Sequence, residues 1–231
     1  MEDIFTIGRR NDINSNEEID RVVLDQLHLL SLYTLPKLRS FCSEAEVFAS
    51  TSNEIILEDT PVPFFDGKVQ LPNLKTLNLF EICGIEEIVA KEGAEDAAAR
   101  TFVFPHLTCL KLHDLQELKC FYPGIHTIEW PVLKELELIG CDKMDHLFAL
   151  ELLTFQKNIL AGQLDIPVQP LSLVKKVFSS LEKLILDGNS TRMIFQSQFS
   201  EIFFPKLELL GIRNQDYQPA DLPLGFLQRE L

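Results

Sequence analysis

The side chains best suited to catalysis or metal binding are scattered through this sequence. The five histidines form no cluster at the spacing of metal ligands, and they stand at His28, His106, His113, His126 and His146. The five cysteines, at positions 42, 83, 109, 120 and 141, include no CxxC pair. This pattern predicts reduced thiols rather than a zinc site or a disulfide framework, and we expect no metal and no cofactor.

Motifs for nucleotide binding and hydrolysis are missing from the sequence. Gly67-Lys68 is followed by Val69 and lacks the upstream glycine of a GxxxxGK[ST] loop, so a phosphate cradle cannot form there. There is also no HExxH, GxSxG or GxGxxG motif. We therefore expect a protein that is not an enzyme.

Charged and aromatic side chains that alternate with leucines are better candidates for function. In CLKLH, Lys111 and His113 stand on the opposite face of an extended chain from Leu110 and Leu112. Rows of apolar side chains beside charges suit recognition of another protein, and the alternative is that they only cover neighbouring turns. The ten candidates are Tyr33, Asn78, Phe80, Lys111, His113, Glu135, Glu137, Ile139, Lys183 and Arg213.

A recurring pattern of leucines defines the elements that would hold these side chains. The stretch from Phe104 to Phe121, FPHLTCLKLHDLQELKCF, has the spacing LxxLxL followed by two more leucines. The alternation in LxL indicates a short strand, and the flanking leucines stand at turn-like spacing, which is typical of a leucine-rich repeat. One such unit cannot bury its leucines alone, so the units must stack.

Six segments carry this pattern clearly, near residues 24–41, 71–88, 104–121, 130–147, 178–195 and 204–214. Their strand leucines lie 47, 33, 26, 48 and 26 residues apart, whereas the class has about 20–29 residues per repeat. The two long gaps predict degenerate repeats or inserted loops at 42–70 and 148–177, with up to eight repeats in all.

Smaller features of the repeats also lead to expectations. In the first gap we expect a loop with at most one short strand, at Ile55–Leu57, and a Phe64-Phe65 pair that can fold back as an apolar plug. Cys141 and Asn189 fall where this class places Asn or Cys to satisfy backbone groups.

The predicted fold is a single α/β solenoid domain over residues 1–231. It is a leucine-rich repeat horseshoe with one parallel β-sheet on the concave face and loops or short helices on the convex side. The ten candidate residues would line the concave face.

Composition narrows the class of partner. The formal net charge is −14, from 35 acidic and 21 basic residues, which disfavours nucleic acids and anionic membranes because both attract basic surfaces. The start of the chain lacks the basic and apolar regions of a secretory signal, and no stretch reaches the ~18 apolar residues of a spanning helix. We expect a soluble, cytoplasmic, protein-binding module.

Longer phrases of the sequence resemble the leucine-rich repeat region of plant coiled-coil, nucleotide-binding, leucine-rich repeat (NLR) disease-resistance proteins. The most specific phrase is FYPGIHTIEWPVLKELE, and LPNLKTLNL, LLTFQKNILAGQLDIPVQ and FSSLEKLIL are also similar. The resemblance implies a role in plant defence and innate immunity, in which the repeats sense a pathogen effector or a guarded host protein and hold the nucleotide-binding module inactive. This sequence contains the repeats without that module.

The alternative function is a leucine-rich repeat adaptor or scaffold subunit of another intracellular complex, such as a ubiquitin ligase. An F-box-like helical module at the N-terminus would favour that alternative. Residues 1–23 are too short and polar to supply one.

Overall fold

The computed structural model describes residues 3–7, 22–44, 63–66, 69–90, 104–122, 132–145, 178–196 and 204–213. The predicted strand at Ile55–Leu57 and the stretch 148–177 lie outside the described residues. The described strands are β1 (Asp3–Ile7), β2 (Val22–Val23), β3 (Leu29–Tyr33), β4 (Ser40–Glu44), β5 (Pro63–Phe65), β6 (Val69–Gln70), β7 (Thr76–Phe80), β8 (Glu87–Val89), β9 (Cys109–His113), β10 (Glu135–Ile139), β11 (Lys183–Asp187) and β12 (Leu209–Arg213).

Six of these strands form one parallel sheet. Its order is β12-β11-β10-β9-β7-β3, so each strand pairs with its neighbours in the chain order of the six LxL segments. The described residues hold one α-helix, α1 (Gly188–Gln196). The prediction of a mostly parallel sheet with few helices is therefore confirmed.

A β-turn precedes five of the six sheet strands, and before β9 and β12 it explains the FPxL motif. The amide of Leu107 donates to the carbonyl of Phe104 at 3.3 Å, and the amide of Leu207 makes the same bond to Phe204 at 3.3 Å. Proline stands at the second position of both turns, where its fixed φ favours the turn conformation. The motif therefore sets the point at which these two strands begin.

The chain leaves four of the six sheet strands, β3, β7, β9 and β10, through a residue in the left-handed region. Thr34, Glu81 and Asp114 have φ values of 52°, 55° and 54°, and Gly140 has 66°. A Cβ atom on Gly140 would overlap Oδ1 of Asp114, so the position requires glycine for its close packing as well as its φ. These four strands thus end at the same register, and their last side chains align.

Leucines on one side of the sheet form the core. Eight of them have 0% exposed surface: Leu77, Leu79, Leu110, Leu112, Leu136, Leu138, Leu184 and Leu186. On the terminal strands the equivalent residues, such as Leu30 and Leu210, are half-buried. Leu35, which the repeat pattern places in the core, is 37% exposed because it follows a strand at the end of the sheet.

A second layer of strands packs across the core from this sheet. β1 pairs with β4 and β5 pairs with β8, all in parallel. The Phe64-Phe65 plug is present, since these rings are 0% and 1% exposed. The prediction of a loop is wrong for two parts of the first gap. Residues 63–65 form β5, which pairs with β8, and residues 69–70 form β6, which pairs with β2.

The two long gaps add no strand to the six-stranded sheet. Residues 29–33 of β3 pair directly with residues 76–80 of β7, and β10 pairs directly with β11. No room remains between the members of either pair. Of the two interpretations of the gaps, insertion is the one compatible with this pairing.

Helix α1 replaces the turn that the repeat register predicts after β11. Asp187 caps the helix, since its Oδ1 accepts from the amide of Ser190 at 2.8 Å. Asn189 is exposed and donates to Oδ1 of Asp142 at 2.7 Å, so the backbone role predicted for it is wrong. Cys141 has the predicted role: it is buried, and its Sγ lies 3.6 Å from the carbonyl oxygen of Leu112.

Candidate protein-binding surface

The first, third and fifth residues of each strand in the six-stranded sheet form the face opposite the core leucines, and we call it the open face. Parallel pairing in register arranges these side chains in three rows that run across the strands. All ten candidates from the sequence lie in these rows: Tyr33, Asn78, Phe80, Lys111, His113, Glu135, Glu137, Ile139, Lys183 and Arg213. The open face is therefore the candidate site.

Three rings pack against one another across neighbouring strands at the end of β3, β7 and β9, the first pair stacked and the second edge to face. The ring centroids of Tyr33 and Phe80 are 4.7 Å apart with an interplanar angle of 16°, and those of Phe80 and His113 are 4.4 Å apart at 65°. Tyr33 is 55% exposed. We call these three residues the aromatic strip, which presents an amphipathic surface of the kind enriched at protein interfaces.

An ion-pair network occupies the middle of the open face. Lys111 Nζ lies 3.0 Å from Glu135 Oε1 and 3.2 Å from Glu137 Oε1. Lys183, on β11, pairs with both carboxylates, and its Nζ lies 3.0 Å from Oε1 of Glu137. Nε2 of His113 lies 3.0 Å from Oε2 of Glu137.

Glu137 is the buried centre of this network, with a side chain only 6% exposed. A buried carboxylate is costly unless it is paired and hydrogen-bonded, and its three partners satisfy that requirement. The two lysines and two glutamates also cancel in charge. The network therefore holds the strands in register and leaves little net charge of its own for a partner to recognise.

The network shifts the pKa values of its members. Burial alone would raise the pKa of Glu135, but hydrogen bonds from Lys183 and Lys111 outweigh it and lower that pKa from 4.5 to about 2. Burial lowers the pKa of His113 despite the nearby Glu137 carboxylate. At neutral pH the carboxylate of Glu135 is ionised and the imidazole of His113 is neutral.

Buried thiols on and near the sheet are not activated as nucleophiles. Burial, with the neighbouring Glu135 charge, raises the pKa of Cys109 to about 12. Burial likewise raises the pKa values of Cys120 and Cys141 to about 12. The thiolate is the reactive form, so these three positions favour a structural role.

Three candidates, Asn78, Ile139 and Arg213, belong neither to the aromatic strip nor to the ion-pair network. Nδ2 of Asn78 donates to Oγ of Ser31 at 2.9 Å, while its Oδ1 is buried without a hydrogen-bond partner. Ile139 is in register with His113 on the neighbouring strand. Arg213 is exposed on the edge strand β12, and its charge adds to burial in lowering the pKa of His113, so it lies within electrostatic range of the aromatic strip.

The ten candidates do not include every residue of this surface. Leu29 and Leu209 occupy outward strand positions in the first row, as the alternation predicts, and are 57% and 46% exposed. Glu81 and Asp114 follow the last residues of β7 and β9 and are also exposed. The signal for Glu81 and Asp114 was their place directly after the xLxLx segments, where the chain leaves the sheet beside the aromatic strip.

Comparison with known proteins adds no assignment. No protein-family model matches the chain, and no solved structure matches it either. Within the described ranges, no helix has the length and apolar character needed to cross a membrane. In the same part of the chain, no three His, Cys, Asp or Glu side chains are grouped to hold a metal ion.

The ion-pair network should make the fold sensitive to acid. Because the folded-state pKa of Glu135 is depressed, its stabilising contribution is present above the unfolded value of 4.5 and is lost as the pH falls towards about 2. We expect Glu135→Gln to lower the free energy of unfolding at pH 7 and to match the wild type near the acid end of that window. Urea denaturation at a series of pH values measures the free energy of unfolding of the wild type and of the variant across this window.

The exposed Glu208 offers a control, since Glu208→Gln removes one carboxylate from outside the network. Its stability should follow the wild-type pH dependence. Equal pH dependence of wild type and Glu135→Gln across the acid window would show that the network contributes no pH-linked stability.

Proposed function

We propose that this chain is the protein-recognition region of a plant intracellular immune receptor, built as a leucine-rich repeat horseshoe. It acts without catalysis, by binding a pathogen effector, a guarded host protein or the nucleotide-binding module of a receptor. The family assignment rests on the sequence phrases that resemble NLR proteins, above all FYPGIHTIEWPVLKELE. The cytoplasmic location belongs to the same proposal.

The observation that carries the proposed mode of action is the arrangement of the sheet. Six parallel strands follow one another in chain order, with leucines buried on one side and mixed aromatic and charged residues on the other. This arrangement supports a repeat array, because each unit contacts only its neighbours and adds one strand. The open face then corresponds to the concave surface of the proposed horseshoe.

The character of the open face supports binding of protein rather than of nucleic acid or lipid. Two of its three cations, Lys111 and Lys183, are already paired with glutamates, which leaves Arg213 on the edge strand. A surface for phosphates needs unpaired positive charge. Exposed Tyr33, Leu29 and Leu209 instead supply the apolar and aromatic area that protein interfaces use.

Binding should depend on exposed residues of the open face and leave stability nearly unchanged. A partner is first captured by pull-down from plant extract and then produced as a recombinant protein. Where Phe80 or Arg213 is a hot spot of the interface, we expect its replacement by alanine to weaken binding of this partner about tenfold or more. Isothermal titration calorimetry measures the affinity. Thermal unfolding shows whether the variants remain folded.

A control variant and the alternative function are tested in the same experiment. Glu208→Gln, outside the three rows, should keep wild-type affinity. If substitutions throughout the open face leave the affinity for a verified partner unchanged, the proposed surface is incorrect. Capture of subunits of an unrelated complex, such as a ubiquitin ligase, would favour the adaptor alternative over a receptor.

A further inference from the structure

Several surface carboxylates on the outer turns are neutralised. Each pairs with a Lys of a neighbouring unit, as in Glu86–Lys119 at 2.7 Å, Glu117–Lys143 at 2.5 Å and Glu182–Lys134 at 2.9 Å. Glu81 and Asp114, like Asp25 and Glu208, form no ion pair within the described part of the chain. The Glu81 carboxylate accepts a hydrogen bond from Oγ1 of Thr34 at 2.8 Å.

These two carboxylates border the aromatic strip. Glu81 directly follows Phe80, Asp114 directly follows His113, and both residues have the left-handed φ that ends their strands. Because β7 and β9 pair in register, the two backbone positions are neighbours across the strands, about 5 Å apart. Two carboxylates without ion-pair partners among the described side chains therefore belong to residues that adjoin the three packed rings.

This combination has a specific chemical complement. A guanidinium group stacks on aromatic faces and binds carboxylates through two parallel hydrogen bonds. An ammonium group lacks both the planar face and the fork of donors. The lowered pKa of His113 keeps the third ring uncharged, so it does not repel a cation.

We propose that the aromatic strip, with Glu81 and Asp114, is the docking site for an arginine-bearing segment of a partner protein. The charge complementarity extends beyond the site, because the chain carries a net charge of −14 and attracts basic segments over a distance. This inference rests on the proposed function, since it names the chemistry of the partner that the open face takes. A basic stretch whose arginine inserts between the rings and the two carboxylates is the expected motif.

A defined probe tests the chemistry directly. Fluorescein-labelled tetra-arginine amide is titrated with the full chain at physiological ionic strength, with tetra-lysine amide and tetra-glutamate amide as comparisons. We expect the arginine peptide to bind most tightly. The double variant Glu81→Gln/Asp114→Asn should weaken it about tenfold, and Tyr33→Leu about threefold to fivefold, through loss of the charge pairs and of the ring face.

A matched control separates the site from the general acidity of the chain. Asp25→Asn/Glu208→Gln removes the same two charges from exposed residues that precede β3 and β12, at the opposite ends of the strands. This variant should keep nearly the wild-type affinity. Equal losses in the two double variants, or equal binding of arginine and lysine peptides, would overturn the proposal.

An unbiased selection distinguishes failure of this inference from failure of the proposed function. A phage-displayed library of random dodecapeptides is selected on the wild-type chain, and the winners are tested on the variants. Arginine-containing winners that depend on Glu81 and Asp114 support the inference. Winners without arginine that depend on Ile139 or Arg213 would overturn the inference, but they would leave protein recognition by the open face standing. Winners that depend on no open-face residue would overturn both the inference and the proposed function.

Discussion

Replacing Leu110 by alanine is expected to lower the free energy of unfolding by about 2–5 kcal/mol, because a fully buried leucine loses both its burial and its packing. Leu110 is 0% exposed and lies in β9, in the middle of the six-stranded sheet. Its neighbours Leu77 and Leu136, in register on either side, are also 0% exposed. Urea denaturation of the purified chain measures the loss.

Two further substitutions show whether the strand register is the cause. Leu30→Ala is the same change on the terminal strand β3, where the leucine is half-buried, so a smaller loss is expected. Lys111→Ala, on the opposite face, should cost within about 1 kcal/mol, because Glu137 keeps Lys183 and His113 as partners. A loss for Lys111→Ala as large as that for Leu110→Ala would contradict the assignment of the two faces.

Local alternation was enough to place the six strands of the sheet. In CLKLH the leucines at 110 and 112 are buried and the side chains at 111 and 113 lie on the open face. Such a pattern is a property of five consecutive residues, so it does not depend on knowing which strand lies beside it. The chain order of the strands then followed from stacking of the units.

Contacts between distant segments were beyond the reach of the pattern. β5 comes from an insertion without leucine periodicity, and it is positioned by pairing with β8, more than 20 residues away in the chain. The pairing of Lys183 with Glu135 spans 48 residues and depends on the absence of a strand from the second gap. Neither feature has a signature within its own segment.

Helix α1 illustrates a local signal that was overridden. Asp187 is a favourable N-cap residue, and the following GNSTRMIFQ forms the helix. The repeat register instead predicted a turn and assigned Asn189 a backbone role. Giving the capping signal more weight than the register would have placed the helix correctly.

Part of the candidate surface was predictable from alternation within single strands, and the rest depends on contacts between strands. The residues of the aromatic strip were identified because Tyr33, Phe80 and His113 occupy the same position in successive strands. Burial of Glu137 was not predictable, since it depends on side chains from the two neighbouring strands closing around one carboxylate. The roles of Glu81 and Asp114 depend on which carboxylates lack lysine partners, and that requires the positions of all the lysines nearby.

Phe65→Ala is expected to lower the free energy of unfolding by about 3–5 kcal/mol, at the upper end for a single core substitution. Phe65 is 1% exposed, and its ring centroid lies 4.7 Å from that of Phe64, 5.1 Å from that of Phe41 and 5.4 Å from that of Phe104. These rings come from the first insertion, from the unit before it and from the unit that begins at Phe104. The substitution therefore tests whether the insertion is part of the core rather than a surface loop.

Tyr33→Ala is the matched control for this change. Tyr33 also stacks on a neighbouring ring, but it is 55% exposed, so its removal should cost about 1 kcal/mol or less. Chemical denaturation gives the two free energies, and limited proteolysis reports whether the Phe65→Ala chain becomes cleavable near residues 63–66. If Phe65→Ala is as mild as Tyr33→Ala, the insertion adds no core, and the second layer that packs across from the sheet does not stabilise the fold.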